Sequence, residues 1–580
     1  MNSRELTGYP SIDKPWSRYY SDEALNGSLP ECTIYEYLWE NNKNFPNDVA
    51  INYYGRLITY KEMFAQIDKT TSAFLALDVE PGEIVSVALP SIPEALYVVY
   101  ALNKIGAVAN MLHPLAGESE TVHYLNEVKS RVAVLYDGGF SYLVNGIGQT
   151  PVKHAILVSA GCSLPLEMKM ATSVQSPSLS LPEGSPFVLW DDFIKNGHGI
   201  YPLWVKKDIN ATAIMSHTGG TTGEPKAVMC SDYSVNAMVW QMAHTIPVLR
   251  QESQMAILPP YVNYSLVSSM IEPIAQGCTA ILIPDYKPEK FAEYARDYKP
   301  VFISSIPPYW EILLRSEDIR STDLSCLRYP IYGGEAMTSE LEEAVNQLLL
   351  SCGAPNKLGK GLGATEVVSA ATLTPYNAPR SYNKPGSAGV PLPKTNCAIV
   401  DPDTNEELTY ETEGEICFAG PTVMIGYYKN PEATNDIIKI HADGQRWLHT
   451  GDLGYIDEDG TIFVTGRIKR LMITRGKDGI SAKMYPDRIE KAAYKHPAVA
   501  LCCAIGFPDP VRNLIPKLFI VLKPGADYTS RLTDEVLEIC NAELPEYMVP
   551  ESIEYCTDFP RTARGKIDYR ALEELAKKNH

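Results

Sequence analysis

Short apolar, β-branched runs alternate with longer amphipathic stretches over the first two-thirds of the chain. Ile84-Val85-Ser86-Val87-Ala88-Leu89 has the length and composition of a buried strand, and Glu94 to Leu102 those of the helix after it. Val132 to Tyr136, Ala256 to Leu258 and Ala280 to Ile283 are strands on the same grounds. Such alternation predicts an α/β fold with layered helices and largely parallel strands. Residues 160–187, rich in Ser, Pro and Gly, are expected to form an irregular excursion. From about 385 to 466 the pattern turns to short strands with frequent turns, at Asn396 to Val400, Gly414 to Phe418 and Gly460 to Val464. A β-rich subdomain is therefore expected to close a large N-terminal domain of residues 1–466. A break at Arg467-Ile468-Lys469 then opens a small α+β C-terminal domain, 467–580, of ordinary domain size.

A chain of 580 residues exceeds what one core supports, which agrees with two domains. Its 45% hydrophobic and 21% charged residues are those of a globular protein in water. No apolar run approaches the roughly 20 residues of a membrane span. The N-terminus lacks the basic-then-apolar layout of a secretory signal. Twelve scattered cysteines without a Cys-x-x-Cys pair suggest reduced thiols and a cytoplasmic protein, with neither a disulfide frame nor a zinc site. The net charge of −19 argues against nucleic acid as a partner. It is unevenly spread: residues 467–580 carry about 19 Lys and Arg against about 16 Asp and Glu, leaving the rest strongly acidic. A small basic piece suits closure over anionic ligands.

The densest chemistry lies at Thr218-Gly219-Gly220-Thr221-Thr222-Gly223-Glu224-Pro225-Lys226. Glycines let successive N–H groups point into one concavity, while hydroxyls and a lysine add donors matched to phosphate oxygens. This is not the Walker arrangement. None of Gly359-Lys360, Gly476-Lys477 and Gly565-Lys566 is followed by Ser or Thr. A flexible surface loop is the alternative for the segment taken alone.

Further segments occur in order: Leu57-Ile58-Thr59-Tyr60-Lys61-Glu62, Lys104-Ile105-Gly106-Ala107 through His113-Pro114, Gly333-Gly334-Glu335-Ala336, and Gly361-Leu362-Gly363-Ala364-Thr365-Glu366. Pro385 to Gly389, Gly414-Glu415-Ile416, Gly426-Tyr427-Tyr428, Thr450-Gly451-Asp452, Gly466-Arg467 and Gly565-Lys566 complete the series. Together they resemble the adenylate-forming superfamily of acyl-CoA synthetases, peptide-synthetase adenylation domains and luciferases, from about residue 30 to the C-terminus.

The resemblance implies two half-reactions: a carboxylate attacks the α-phosphorus of ATP to give an acyl-adenylate and pyrophosphate, and a thiol then displaces AMP. Repulsion between two anions dominates the first barrier, so cations and positioning are required rather than a covalent nucleophile. Lys566 is expected between carboxylate and α-phosphate. Thr365 and Glu366 are expected on phosphate and Mg²⁺, either or both also as a helix start with Thr capping. Thr218, Gly219, Gly220, Thr221, Thr222, Gly223 and Lys226 would cradle phosphates. Asp452 would hold the ribose and Arg467 the ribose or a phosphate, and Gly333, Gly334, Glu335, Ala336, Gly361, Leu362 and Gly363 the adenine. Leu362 stands where the family often has an aromatic ring. Lys469 occupies the hinge position, about which the small domain would present two faces in turn. Gly476 and Lys477 would border the CoA channel. Between them and Pro486 the stretch is longer than in the family, and Lys483 is a further candidate for CoA phosphates.

Val262, Asn263 and Tyr264 are expected in the acyl pocket. No acid lies in Leu258 to Leu266, and a buried ammonium without a carboxylate is costly, so an α-amino acid is not expected. Many acyl- and aryl-CoA ligases carry histidine where Val262 stands. The expected activity is an ATP-dependent acyl-CoA synthetase for an apolar carboxylic acid, with a fatty acid foremost and an aryl acid as variant. The chain ends soon after Lys566 without a carrier domain, which favours a free-standing ligase. The alternatives are a stand-alone acyl-AMP ligase loading an acyl carrier protein and a non-catalytic nucleotide-binding homologue.

Overall fold

The computed structural model describes residues 6–175, 180–218, 225–376, 383–470, 472–475, 481–561 and 567–578. Two large sheets form the N-terminal domain. One has seven strands, in the order Gly359–Lys360, Tyr329–Tyr332, Phe302–Ser305, Ser253–Ala256, Thr279–Leu282, Val49–Tyr53 and Arg56–Thr59. All neighbours pair parallel except the last two. The other has eight: Gly426–Tyr427, Ala227–Ser231, Thr212–His217, Val108–Met111, Ile84–Ala88, Val132–Tyr136, His154–Val158 and Phe187–Leu189. Here the first two strands are antiparallel additions to a parallel sheet.

The main core lies between these sheets and draws on both, through Ile51, Leu282 and Phe302 from one and Val85, Val134 and Ile156 from the other. Helix Pro93–Lys104 runs through it with every residue buried. That explains its unbroken apolar reading: a helix covered on all sides has no polar face to alternate with. Separate clusters cover the outer faces, one around Trp310, Val345 and Leu349, the other around Leu125, Leu135 and Leu157.

The β-rich subdomain is a five-stranded antiparallel sheet of Asn396–Val400, Gly414–Ala419, Arg446–Ile456, Ile438–Ile440 and Ile462–Arg467. Its core also takes Trp16 and Tyr19 from the N-terminal segment. Ser11 Oγ donates to Glu407 at 2.8 Å, and Tyr19 donates to the Asp459 carbonyl at 2.9 Å. The C-terminal domain stacks a three-stranded sheet, Val499–Asp509, Asn513–Leu522 and Ser552–Cys556, between helices. Pro486–Ala493 and Ser530–Glu543 cover one face, and Tyr569–Lys578 the other. No described helix is long and apolar enough to cross a membrane.

Two expectations need correction. The excursion at 160–187 contains helix Leu166–Gln175, a stretch free of Pro and Gly between breaker-rich flanks. The stretch after Arg475 is not all loop, because Ser481–Met484 pairs antiparallel with Met472–Arg475.

The layers bury charge. Lys360 Nζ lies 2.7 Å from Glu342, both inside the domain. Glu94 at the start of the central helix is 2% exposed, accepts one bond from Ser163 Oγ at 2.6 Å, and burial pushes its pKa up to about 7. An unfolded glutamate titrates near about 4.3, so between about 4.3 and 7 the native chain holds more protons than the unfolded one. This group's contribution to stability therefore falls as pH rises across that window. Glu94→Gln is expected to unfold at a higher temperature than the parent at pH 8, with the difference shrinking toward pH 5 in paired melting curves.

Candidate active site

The glycine- and threonine-rich segment joins two antiparallel strands, Thr212–His217 and Ala227–Ser231, as the loop of a hairpin. Its base is closed by two hydrogen bonds. Thr218 N–H donates to the Lys226 carbonyl at 2.9 Å, and Lys226 N–H donates to Thr218 Oγ1 at 3.0 Å. Gly219, Gly220, Thr221, Thr222 and Gly223 lie outside the described residues. The segment thus springs from a strand pair rather than from a strand-to-helix turn, the physical counterpart of its missing Walker lysine.

Beside this base, strand Gly426–Tyr427 pairs with Val228 and Met229. The Lys226 ammonium sits 5.0 Å from the centre of the Tyr427 ring. The Tyr427 hydroxyl donates to Glu366 Oε1 at 2.7 Å. Burial, with the neighbouring Glu366 carboxylate, raises the phenol's pKa and keeps it protonated as a donor. Met424 N–H donates to the Glu366 carbonyl at 2.8 Å. Thr218, Lys226 and Glu366 are thereby brought together. Tyr427, quoted in the sequence only as part of a motif, is what joins them. Nothing in its own neighbourhood marked it, because its partners come from two other parts of the chain.

Thr365 and Glu366 do not start a helix. They form a single 3₁₀ turn, Thr365–Val367, without a side-chain cap. A three-residue turn has no macrodipole to lend, so the helix-terminus expectation is withdrawn. The turn ends in strained backbone: Val368 has φ 67° and ψ −55°, and Ser369 N–H donates to the Val367 carbonyl at 2.8 Å. This is a γ-turn of the disfavoured hand, costly for a β-branched residue. Such strain persists where surrounding packing enforces it, and Val368 is fully buried in the main core. Thr365 and Glu366, both half-buried and adjacent in sequence, offer hard oxygen donors of the kind Mg²⁺ takes.

At the ends of two neighbouring parallel strands lie Gly333 to Ala336 and Gly361 to Gly363. Gly334 has φ +81°, a left-handed conformation that favours glycine, and Glu335 and Ala336 are exposed. A Cβ on Gly363 would lie 1.9 Å from the Ser369 carbonyl oxygen, so this glycine serves close backbone approach. Leu362 is half-buried against the β-rich core. Tyr264 underlies Gly333, where a Cβ would meet its hydroxyl at 3.4 Å, and donates to the Ser305 carbonyl at 3.2 Å. Val262 is half-buried. Asn263 is turned away: its Oδ1 accepts from Ser216 Oγ at 2.5 Å and its Nδ2 donates to Cys230 Sγ at 3.5 Å, under the hairpin.

Next to this segment a cavity of about 140 Å³ opens at the ends of strands Val108–Met111 and Thr212–His217, bordered by His113, Glu120, Tyr124, His217 and Tyr261. His217 Nε2 bonds Asn110 Oδ1 at 3.0 Å. The alternation pattern hid this cavity, since its walls come from three separated segments.

Asp452 and Arg467 stand opposite each other on adjacent strands, with Nε 2.8 Å from Oδ1. Beyond Arg467, residues Ile468–Arg470 form one turn with Lys469 exposed. Asp487 of the following helix accepts from Arg467 N–H at 3.2 Å and from Arg470 Nη1 at 2.5 Å. Arg470 also pairs with Glu490 at 2.6 Å and lies 4.0 Å over the Tyr569 ring. Tyr569 opens the last helix, just after the segment that carries Lys566. Lys566 lies outside the described residues, as do Gly476 and Lys477; a bridge between Arg561 and Ile567 flanks the former. Lys483 is paired with Asp403 at 3.0 Å, an engagement with the β-rich subdomain.

The AMP-binding enzyme family profile matches residues 38–428, and that of the AMP-binding enzyme C-terminal domain matches 488–566. The chain is 28% identical over 574 residues to a long-chain-fatty-acid–CoA ligase of Bacillus subtilis (strain 168), covering 98% of this chain and 99% of that one. It is 26% identical over 567 residues to a probable 4-coumarate–CoA ligase 1 of Dictyostelium discoideum, covering 96% and 98%. Among solved structures, ATP-bound MatB from Rhodopseudomonas palustris superposes with a TM-score of 0.80 at 21% identity, covering 95% and 100%, a likeness of fold.

Tyr427→Phe removes the bond to Glu366 while keeping the ring under Lys226. A hydrogen bond to a charged group is worth about 1.5–3 kcal/mol. The variant is expected to need roughly 10–100-fold more Mg·ATP for half-maximal pyrophosphate exchange, and to melt at a lower temperature.

Proposed function

Since the chain belongs to the AMP-binding enzyme family, we propose that it is an ATP-dependent acid–thiol ligase that activates an apolar carboxylic acid, foremost a fatty acid, and passes it to coenzyme A. The observation that carries this reading is the junction of Lys226, Tyr427 and Glu366 at the base of the hairpin loop. It places a cation, a neutral donor and a hard-oxygen ligand beside donors suited to a polyphosphate.

In the first half-reaction a carboxylate oxygen forms a bond to the α-phosphorus of ATP as the bond to pyrophosphate breaks. Thr218, the loop glycines and Lys226 hold the phosphate tail. The Asp452 carboxylate accepts from the ribose hydroxyls, with Arg467 fixing its direction. The exposed residues Gly334 to Ala336 and Gly363, with half-buried Gly361 and Leu362, would border the base. Glu366 and Thr365 would hold Mg²⁺, which supplies neutralisation of phosphate charge when bound. Lys566 is the ammonium we assign between the two anions. In the second half-reaction the CoA sulfur bonds to the acyl carbon, AMP leaves, and the thiol proton passes to solvent.

The domain boundary falls at Arg467, with Lys469 as pivot. Rotation there separates Arg467 N–H from Asp487 but leaves Arg470 with its small-domain partners Asp487, Glu490 and Tyr569. Gly476 and Lys477 would then face CoA. The absence of an acid from Leu258 to Leu266 supports an apolar substrate over an amino acid. We place the protein in the cytoplasm, in keeping with its many free thiols.

The deciding experiment is a panel of carboxylic acids scored for AMP release with and without CoA. Release with apolar acids that rises on adding CoA is expected. Turnover only with a phosphopantetheinyl carrier protein would make the chain an acyl-AMP ligase, and no exchange with any acid would reduce it to a nucleotide-binding homologue. Lys566→Ala is expected to slow adenylate formation about 10²–10³-fold while thiolysis of a supplied acyl-adenylate persists; equal loss of both refutes the role. Lys469→Pro stiffens the pivot and is expected to slow the second half-reaction more than the first in single-turnover measurements.

A further inference from the structure

The five-stranded sheet buries Ile399, Ile416, Phe418 and Leu448 on one side. The other side carries different chemistry. Glu415 and Cys417 are two apart on strand Gly414–Ala419 and share that face. Cys417 is directly opposite His449 on the neighbouring strand. Donor atoms of Glu415, Cys417 and His449 lie within 4.8 Å of one another, and all three residues are buried. His449 Nδ1 is 2.7 Å from Glu415 Oε2, and its Nε2 is 3.0 Å from Nε2 of His441. His441 is in turn stacked on Trp447, with ring centres 5.0 Å apart and planes 11° from parallel.

We propose that Glu415, Cys417 and His449 bind a zinc-class divalent transition-metal ion, with His441 as the outer hydrogen-bond partner of His449. One sulfur, one nitrogen and one oxygen donor is a set zinc accepts, whereas Mg²⁺ asks for oxygens alone. A thiolate and a carboxylate cancel the charge of a divalent ion, so the loaded site adds no net charge to a buried place. Without the ion, burial and then the Glu415 carboxylate push the Cys417 thiol well above its ordinary pKa. Capture releases the thiol proton to solvent, and the His449 ring binds through Nδ1 as the tautomer that carries its proton on Nε2. The His449 ring then donates Nε2–H to His441 Nε2, 3.0 Å away. Bonds of about 2.0–2.2 Å in tetrahedral array require Nδ1 and the carboxylate oxygen to part to about 3.4 Å, a small opening from the 2.7 Å seen. The second Glu415 oxygen accepts from Gly451 N–H at 2.9 Å, so the ion would brace the turn leading to Asp452. The scatter of the cysteines along the chain had pointed away from zinc. These donors meet because two adjacent strands pair in this register.

The test is titration of the purified full-length protein with Co²⁺, a spectroscopic substitute for Zn²⁺, in excess Mg²⁺. One equivalent is expected to bring visible ligand-field bands and a thiolate-to-cobalt charge-transfer band. Cys417→Ser is expected to remove the charge-transfer band. His441→Ala, which spares all three ligands, is expected to weaken Co²⁺ binding about 10–100-fold in protein whose unfolding curve matches the parent. Absence of bands at millimolar Co²⁺ overturns the site. So does a charge-transfer band that survives in Cys417→Ser, which would assign it to another of the twelve cysteines. Should that variant fail to fold, unchanged Co²⁺ affinity in His441→Ala overturns the proposal by itself.

Discussion

A two-residue strand holds this structure's chemistry together. Gly426–Tyr427 adds itself to the edge of the eight-stranded sheet by pairing with Val228 and Met229. Through that pairing the β-rich subdomain is fastened to the strand that follows the glycine- and threonine-rich segment. The Tyr427 hydroxyl then reaches Glu366, and its ring lies beneath Lys226. Loss of the pairing would leave a carboxylate and a cation with no common reference, and preorganised charge acts only where the groups are already in place. The strained turn at Val368 belongs to the same assembly. It directs the chain back into the core immediately after Glu366, with Val367 and Val368 buried on either side of that reversal.

The small domain is organised around a second fixed point. Arg470 collects Asp487, Glu490 and the Tyr569 ring. A guanidinium with two carboxylates and an aromatic face is both paired and packed, so Arg470 is fixed to the small domain. Tyr569 leads the helix that follows the Lys566 segment. Among the described residues, Arg467 N–H to Asp487 and the ion pair of Lys483 with Asp403 link the two sides of the proposed boundary. Both are exposed or half-exposed and weak beside the buried cluster around Arg470.

Legibility followed the locality of the signal. Val132–Tyr136 and Asn396–Val400 stand where periodicity and β-branched composition put them. Helix Pro93–Lys104 extends past its expected ends because Pro93 is favourable in a first turn. Strand Ile462–Arg467 is displaced from the expected Gly460 to Val464, as Gly460 belongs to the preceding turn with φ +86°. The helix inside 160–187 was masked by the Ser and Pro around it, and strand Ser481–Met484 by the absence of alternation in so short a run. The Thr-Glu pair has the composition of a helix start, yet the chain reverses at Val368, a position no propensity marks.

By itself the sequence determined the layering, the two-domain order and the segment rich in hydrogen-bond donors between Thr218 and Lys226. Each of these rests on composition or on spacing within a few residues, which local backbone preferences convert directly into structure. Tertiary structure alone decided which side chains share a site. Tyr427 meets Glu366 and Lys226, Arg470 meets Tyr569, and Cys417 meets His449 across distances in sequence that periodicity does not span. The physical reason is that strand pairing is non-local: register between distant segments is set by burying whole faces together, and a single chain read in order carries no direct record of it.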